Sequence, residues 1–333
     1  MIISARMKAV LEILERIEKS PVPMDLTIGD YMRNRRYIGS KDRADIVERV
    51  YGIIRHHARL NWALEQANEQ VNAPDITARL RLLAYLVLVE GKKDPHVFFD
   101  GTKYAPHEIT PEEQAVLDHL PQSLDAAPDT VRCECPPDYA GSLQAYFGDD
   151  LVPEMEAMCH GATLDLRINE VAGDRATIKA SLEKDGIITT ETPYSPWGLR
   201  VKGKVFLSEA KAFRAGQIEI QDEGSQLIAL ACDVKPGMQV LDYCAGGGGK
   251  TLALASAMRI KGRIVAMDLD AGRLAKAKTR FKRAKVSDII ETRPLSDEKS
   301  RKWLRRQKQS FDVVLADVPC SGTGTWRRNP DTR

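Results

Sequence analysis

The 333-residue chain lacks the features that mark several protein classes. It has no long apolar run: the most hydrophobic stretch, Leu82 to Val89, falls far short of the roughly 20 residues that span a bilayer. Its six cysteines are scattered and no pair of CxxC sequences occurs. That excludes a disulfide scaffold and a zinc ribbon, and it leaves Cys133-Glu134-Cys135 as an isolated pair of reduced thiols. There is no internal repeat and no low-complexity segment. The start shows no signal-peptide pattern; Met1 to Glu18 reads as an amphipathic helix, and a cytoplasmic protein with no membrane partner and no metal is expected. Net charge is only +2, but it is unevenly spread. Residues 271–310 hold fourteen Lys/Arg against four Asp/Glu, and residues 90–160 hold four against fifteen, so local basic faces suited to a polyanion remain.

What is present divides into three regions. Residues 1–128 read as helical, with Val10, Leu11, Leu14 and Ile17 on one face, Ile46, Val47, Val50, Tyr51 and Ile54 on another, and Leu80 to Val89 as a more buried helix. Prolines 106, 111, 121 and 128 punctuate the end of this region. Residues 129–212 carry short apolar segments, Leu164–Ile168, Ala176–Ala180 and Gly198–Val201, between turns, which predicts a small α+β domain. From Gln221 the pattern alternates: helix 222–232, strand 238–243, helix 250–259, strand 263–268, helix 271–285, strand 288–293, helix 297–309 and strand 311–316. Such alternation builds a parallel sheet that binds ligands at the carboxyl ends of its strands.

Two loops of this last region carry chemistry. In Val240-Leu241-Asp242-Tyr243-Cys244-Ala245-Gly246-Gly247-Gly248-Gly249-Lys250-Thr251 a strand runs into four glycines and a helix follows at once. Close backbone approach and a helix N-terminus suit a nucleotide-like group. A P-loop fails because its first glycine falls on Cys244, and the GxGxxG fingerprint fails at Thr251 or Leu252. The remaining reading is S-adenosylmethionine, with Asp242 on the first strand and Asp268 closing the second to accept ribose hydroxyls. The second loop, Asp317-Val318-Pro319-Cys320, places a thiol at a strand exit. A thiolate adding to carbon 6 of a pyrimidine makes carbon 5 nucleophilic enough to accept a methyl group, while Asp317 holds the ring edge. An ordinary thiol is only about 3% ionised at pH 7, so such a role needs an electropositive setting.

These two loops, with Gln221-Asp222-Glu223-Gly224-Ser225-Gln226 ahead of them, resemble the RsmB/Nop/Sun RNA cytosine-5 methyltransferases. Gly39-Ser40-Lys41-Asp42-Arg43 and Val50-Tyr51-Gly52-Ile53-Ile54-Arg55 are similar to the NusB-like domain of the RsmB branch. The resemblance implies a multi-domain chain: an all-α NusB-like RNA-binding domain at 1–128, a small α+β, RRM-like domain at 129–212 without aromatic stacking residues, and an α/β Rossmann-like class I methyltransferase domain at 213–333. It implies methylation of carbon 5 of cytosine in RNA, 16S ribosomal RNA first and tRNA second, by a monomer. The cofactor residues carry over to Asp242, Cys244, Ala245, Gly246, Gly247, Gly248, Gly249, Lys250, Asp268, Arg273 and Asp317, and the catalytic ones to Cys320 and Asp317. Arg35, Arg36 and Arg55, with Arg33 and Arg59, and Arg327 and Arg328 are candidates for RNA phosphates. Three departures stand out. The family's proline within the glycine loop is Gly247. No acid follows the third strand directly, Asp297 being the substitute. And the family's attacking cysteine lies in a Thr-Cys loop that this sequence, ending at Arg333, does not contain, which leaves Cys320 as the product-release cysteine. On that ground the methyltransferase domain is expected to be incomplete after its fourth strand, to bind cofactor with little turnover, and to leave strand 311–316 as a bare apolar edge. A non-catalytic RNA-binding factor and a DNA cytosine-5 methyltransferase stay open as alternatives.

Overall fold

The computed structural model describes residues 1–71, 75–203, 205 and 207–333. The chain forms two compact units, Met1–Ala162 with Ser321–Arg333, and Thr163–Cys320. No helix among the described residues is long and apolar enough to cross a membrane, and no group of His, Cys, Asp or Glu among them is arranged to hold a metal.

The first unit is helical. Helices Ile3–Lys19, Met24–Arg33, Ser40–Arg55, His57–Val71 and Ala78–Leu88 bury Met7, Val10 and Leu14, then Ile46, Val50 and Ile53, then Leu82, Leu83 and Leu86 in one core. The spacing of three and four residues puts each set on one helical face. Thr77 accepts the Leu80 N–H to start Ala78–Leu88, and Thr110 and Glu113 close a capping box on Pro111–Asp118. A smaller cluster gathers Cys133, Cys135, Leu151, Met155 and Trp326. Between the two cysteines Glu134 is buried with φ 55°, and its carboxylate accepts the N–H groups of Ala58 and Arg59 at 2.8 and 3.1 Å. It thereby caps the open end of helix His57–Val71 and also pairs with Arg59 Nε at 3.1 Å.

The second unit holds two four-stranded sheets. One is antiparallel in the order β2-β3-β1-β4, with β1 Asp165–Ile168, β2 Thr189–Glu191, β3 Gly198–Val201 and β4 Ile218–Ile220. The apolar segment Ala176–Ala180 belongs to helix Arg175–Lys184: Asp174 caps it by accepting the Thr177 N–H at 2.7 Å, and Ile178 and Leu182, four residues apart, are buried together. The other sheet is wholly parallel, in the order β7-β6-β5-β8, with β5 Gln239–Asp242, β6 Arg263–Asp268, β7 Ile290–Pro294 and β8 Val313–Leu315. Helices Gly249–Ala257, Ala271–Arg283 and Glu298–Arg305 make the crossovers. Ile264 to Met267 are fully buried, as expected of a strand covered on both faces. The chain moves outward from β5 through β6 to β7, then returns to lay β8 on the other side of β5. Strand order therefore reverses between β5 and β8, and a crevice opens beyond their carboxyl ends. Among the described residues β8 pairs only with β5, and Val314 on it is 58% exposed.

Candidate active site

The crevice is built by the loops that leave β5 and β8. After Asp242 the chain turns on Gly246 at φ 53° and Gly248 at φ 77°, left-handed conformations that disfavour a side chain. A Cβ on Gly246 would stand 2.6 Å from the Arg273 guanidinium, and one on Gly248 only 2.5 Å from the Phe281 ring. Helix Gly249–Ala257 starts immediately, so its unpaired N–H groups and positive dipole end face the crevice.

Asp268, at the end of β6, is buried and anchors the turn. Its Oδ2 accepts the Gly246 N–H at 2.7 Å and its Oδ1 the Asp270 N–H at 2.9 Å. Leu269, next to it, is 71% exposed and offers an apolar surface beside that carboxylate. Asp242 is buried, and its Oδ2 accepts from the Thr251 hydroxyl at 2.7 Å, while Oδ1 has no hydrogen-bond partner among the described residues. Burial pushes this carboxyl up to about 6, against the opposing pull of the Thr251 hydroxyl and the Lys250 ammonium. Burial, and then the charges of Asp268, Asp242 and Asp317, also push the Cys244 thiol up, so it stays protonated at neutral pH. Lys250 Nζ meets Asp317 Oδ2 at 2.5 Å and so joins the β5 loop to the β8 loop. Cys320, three residues after Asp317, is exposed.

The structure thus gathers Asp242, the Cys244–Lys250 loop, Asp268, Arg273 and Asp317 at one edge of the sheet. Asp297 is used differently. It caps helix Glu298–Arg305 through the Lys299 and Ser300 N–H groups and the Ser300 hydroxyl. In the helical unit, Arg35 stacks over Tyr31 at 3.8 Å and pairs with Glu12 at 3.0 Å. Arg55 is half-buried and donates to the Arg327 carbonyl at 3.1 Å, while Arg327 donates to the carbonyls of His160 and Gly161. Arg59 is tied to Glu134, Arg33 pairs with Asp30, and Arg36 and Arg328 are exposed. Three side chains that touch the glycine loop or its support, Arg167, Glu219 and Arg280, carry no signal in the sequence, since their meeting depends on the register of β1 on β4.

Residues 229–333 match the family described as 16S rRNA methyltransferase RsmB/F. Over 99% of its length the chain is 27% identical to a probable ribosomal RNA small subunit methyltransferase B of Synechocystis, covering 77% of that protein. Over 97% it is 26% identical to the probable counterpart in Bacillus subtilis, covering 75% of it. Among solved structures, the protein PH0851 shares the fold over the whole chain and 78% of its own length, with TM-score 0.71 and 21% identity. A methyltransferase homolog protein from Pyrococcus horikoshii aligns over 59% of the chain and 64% of its own length, with TM-score 0.51 and 27% identity. The glycine loop of β5 and the Asp-Val-Pro-Cys loop of β8 face one crevice, and both lie within residues 229–333, the stretch that matches the RsmB/F methyltransferase family.

Proposed function

We propose that the protein transfers the methyl group of S-adenosylmethionine to carbon 5 of a cytosine in RNA, with 16S ribosomal RNA, the substrate named for its relatives, as the favoured target. The contact that carries this reading is the bridge from Lys250 to Asp317, which brings the cofactor loop and the Pro-Cys loop to the same crevice. The residues present fit the cofactor. Helix Gly249–Ala257 starts directly after the left-handed turn at Gly246 and Gly248, Asp242 Oδ1 is a buried acceptor awaiting a donor, and Asp268 keeps lone pairs beyond its two backbone bonds. Bound there, the cofactor supplies an electrophilic methyl on a sulfonium.

Of the groups that act on the base, this chain supplies Asp317 and Cys320. Asp317 has acceptor capacity beyond its bond to Lys250 and receives the exocyclic amine of the cytosine. Attack on carbon 6 by a thiolate pushes electron density to carbon 5, which takes the methyl; loss of the carbon 5 proton then expels the thiolate and restores the double bond. By the family resemblance Cys320 serves the release step. The helical unit, NusB-like in sequence, is the RNA-holding part, with exposed Arg36 among its contacts.

The test is cofactor binding followed by RNA modification. Calorimetry with S-adenosylhomocysteine is expected to show binding that Asp268→Ala abolishes. RNA fragments of the small ribosomal subunit incubated with labelled cofactor are expected to gain 5-methylcytosine only slowly, because residues 1–333 hold no Thr-Cys loop. A protein that binds neither S-adenosylmethionine nor its demethylated product overturns the reading.

A further inference from the structure

The small antiparallel sheet touches the cofactor loop from beneath. In the pairing of β1 with β4, Arg167 lies opposite Glu219, so both side chains project from the same face. Both are buried, at 2% and 3% exposure. Glu219 Oε2 accepts from Arg280 Nε at 3.2 Å and from Arg280 Nη2 at 3.0 Å, while Oε1 accepts from Arg283. Arg280 turns its remaining nitrogen, Nη1, to the carbonyl of Gly247 at 2.5 Å. Arg167 Nη1 reaches the carbonyl of Gly249 at 3.3 Å, and its Nε is buried without a partner among the described residues. Burial of a guanidinium is costly without compensation, and pulls Arg167 down to about 10.

The sheet is also fastened to the two helices that follow the loop. Asn169 Nδ2 donates to the carbonyls of Gly216 and Ala284 at 2.9 and 3.0 Å, and Ser256 donates to Asn169 Oδ1 at 3.2 Å. A Cβ on Gly216 would stand 2.0 Å from the Arg283 carbonyl oxygen, so the turn ahead of β4 and the helix backbone are in direct contact there. A free loop of four glycines would sample many conformations, each lost on binding a ligand. Here two carbonyls are pinned: that of Gly249 by Arg167 of β1, and that of Gly247 by Arg280 of helix Ala271–Arg283, which Glu219 of β4 aligns. In a trans peptide the N–H points opposite to the C=O, so pinning the Gly247 carbonyl supports the bond that the Gly248 N–H gives to the Ala245 carbonyl at 2.8 Å, and pinning the Gly249 carbonyl fixes the direction of the Lys250 N–H.

We propose that the antiparallel sheet is a positioning element of the cofactor site: Arg280, aligned by Glu219, and Arg167 hold the Gly247 and Gly249 carbonyls and so preset the glycine loop for its ligand. The inference rests on reading that loop as the S-adenosylmethionine site. It gives the sheet a role distinct from RNA recognition, and it makes Arg280 and Arg167 positioning residues that need not touch the ligand.

Arg283 provides the control, because it shares the Glu219 carboxylate while its own contacts lie away from the glycine loop. Arg280→Met and Arg283→Met each remove one guanidinium from Glu219, and only the first releases Gly247. Calorimetric titration of the full chain with S-adenosylhomocysteine is expected to show affinity about ten- to a hundredfold weaker in Arg280→Met and within about twofold of wild type in Arg283→Met. Arg280→Lys, which keeps the charge but not the fork, is expected to fall between them. If Arg280→Met does not fold, the comparison of Arg280→Lys with Arg283→Lys decides in the same way. Equal losses in the two positions, or no loss at Arg280, overturn the proposal. If wild-type protein binds no S-adenosylhomocysteine, the functional reading fails on its own, and the brace is still judged by hydrogen exchange of the Gly248 and Lys250 amides. Exchange is expected to quicken in Arg280→Met and not in Arg283→Met, and equal exchange in both overturns the brace.

Discussion

At Gly248 the backbone stands at φ 77° with the Phe281 ring 2.5 Å from where a Cβ would sit. A left-handed non-glycine residue costs roughly 1–2 kcal/mol, and forcing an atom against a packed ring costs a similar amount or more. Gly248→Ala is expected to destabilise the second unit by roughly 2–4 kcal/mol, measured by chemical denaturation, with Phe281→Leu recovering part of the loss in a double-mutant cycle. Asp242 makes a pH prediction. Unfolded, its carboxyl ionises near 3.8; folded, near 6. Between those values the folded state keeps a proton that the unfolded state has lost, so this group's contribution to stability falls as pH rises through that window. A cofactor donor that reaches the orphaned Oδ1 favours the ionised form. Affinity for S-adenosylhomocysteine is therefore expected to rise from pH 5 toward pH 7, by close to tenfold per unit below about 6, and to be flat over that range in Asp242→Asn. Titrations at several pH values that show no slope in wild type refute the role of that carboxyl. Asp242 and Asp268 were legible as carboxylates at strand ends, because their positions follow from local pattern alone. The missing partner of Oδ1 was not, because it depends on what the fold packs around it.

Elements were legible where periodicity is long and caps are local. The alternation after Gln221 predicted every helix and strand of the parallel sheet, with ends displaced by a few residues: strand 288–293 begins at Ile290 because Ser287–Ile289 is a short 3-10 turn. Segments shorter than a few turns were ambiguous, as at Ala176–Ala180, where the Asp174 cap decided for a helix. Cys133-Glu134-Cys135 illustrates a second limit. The flanking thiols draw notice in the sequence, yet the working residue is the glutamate between them, whose partners Ala58 and Arg59 are remote in the chain. Glu134→Ala removes both backbone acceptor bonds and the ion pair to Arg59, and is expected to lower the stability of the helical unit by about 2 kcal/mol. Glu134→Gln, which keeps one amide oxygen as acceptor, is expected to lose about half as much. Far-UV circular dichroism under denaturant titration checks both. An unchanged midpoint in Glu134→Ala removes the cap from the account.

Across the whole molecule a net charge of +2 conceals a basic run at residues 271–310, which composition alone leaves undecided between a solvated face and an RNA contact. The structure divides that run by where each side chain points. Arg280 and Arg283 turn inward to Glu219, and Arg293, together with Arg263 just ahead of the run, flanks Glu291 on the sheet. Lys278 and Lys282, four residues apart on one side of helix Ala271–Arg283, remain exposed, as does Lys285 in the turn after it. If that side meets RNA, each lysine neutralises a phosphate and releases counterions, whereas the buried contacts of the glycine loop are insensitive to salt. Changing all three to Gln is expected to flatten the slope of log affinity against log salt for a single-stranded RNA by about 2, at about 0.7 per phosphate contact, and to leave S-adenosylhomocysteine affinity unchanged. An unaltered salt slope assigns these lysines to solvation of an outer face, and the RNA path then has to be sought among the exposed arginines of the helical unit, beginning with Arg36.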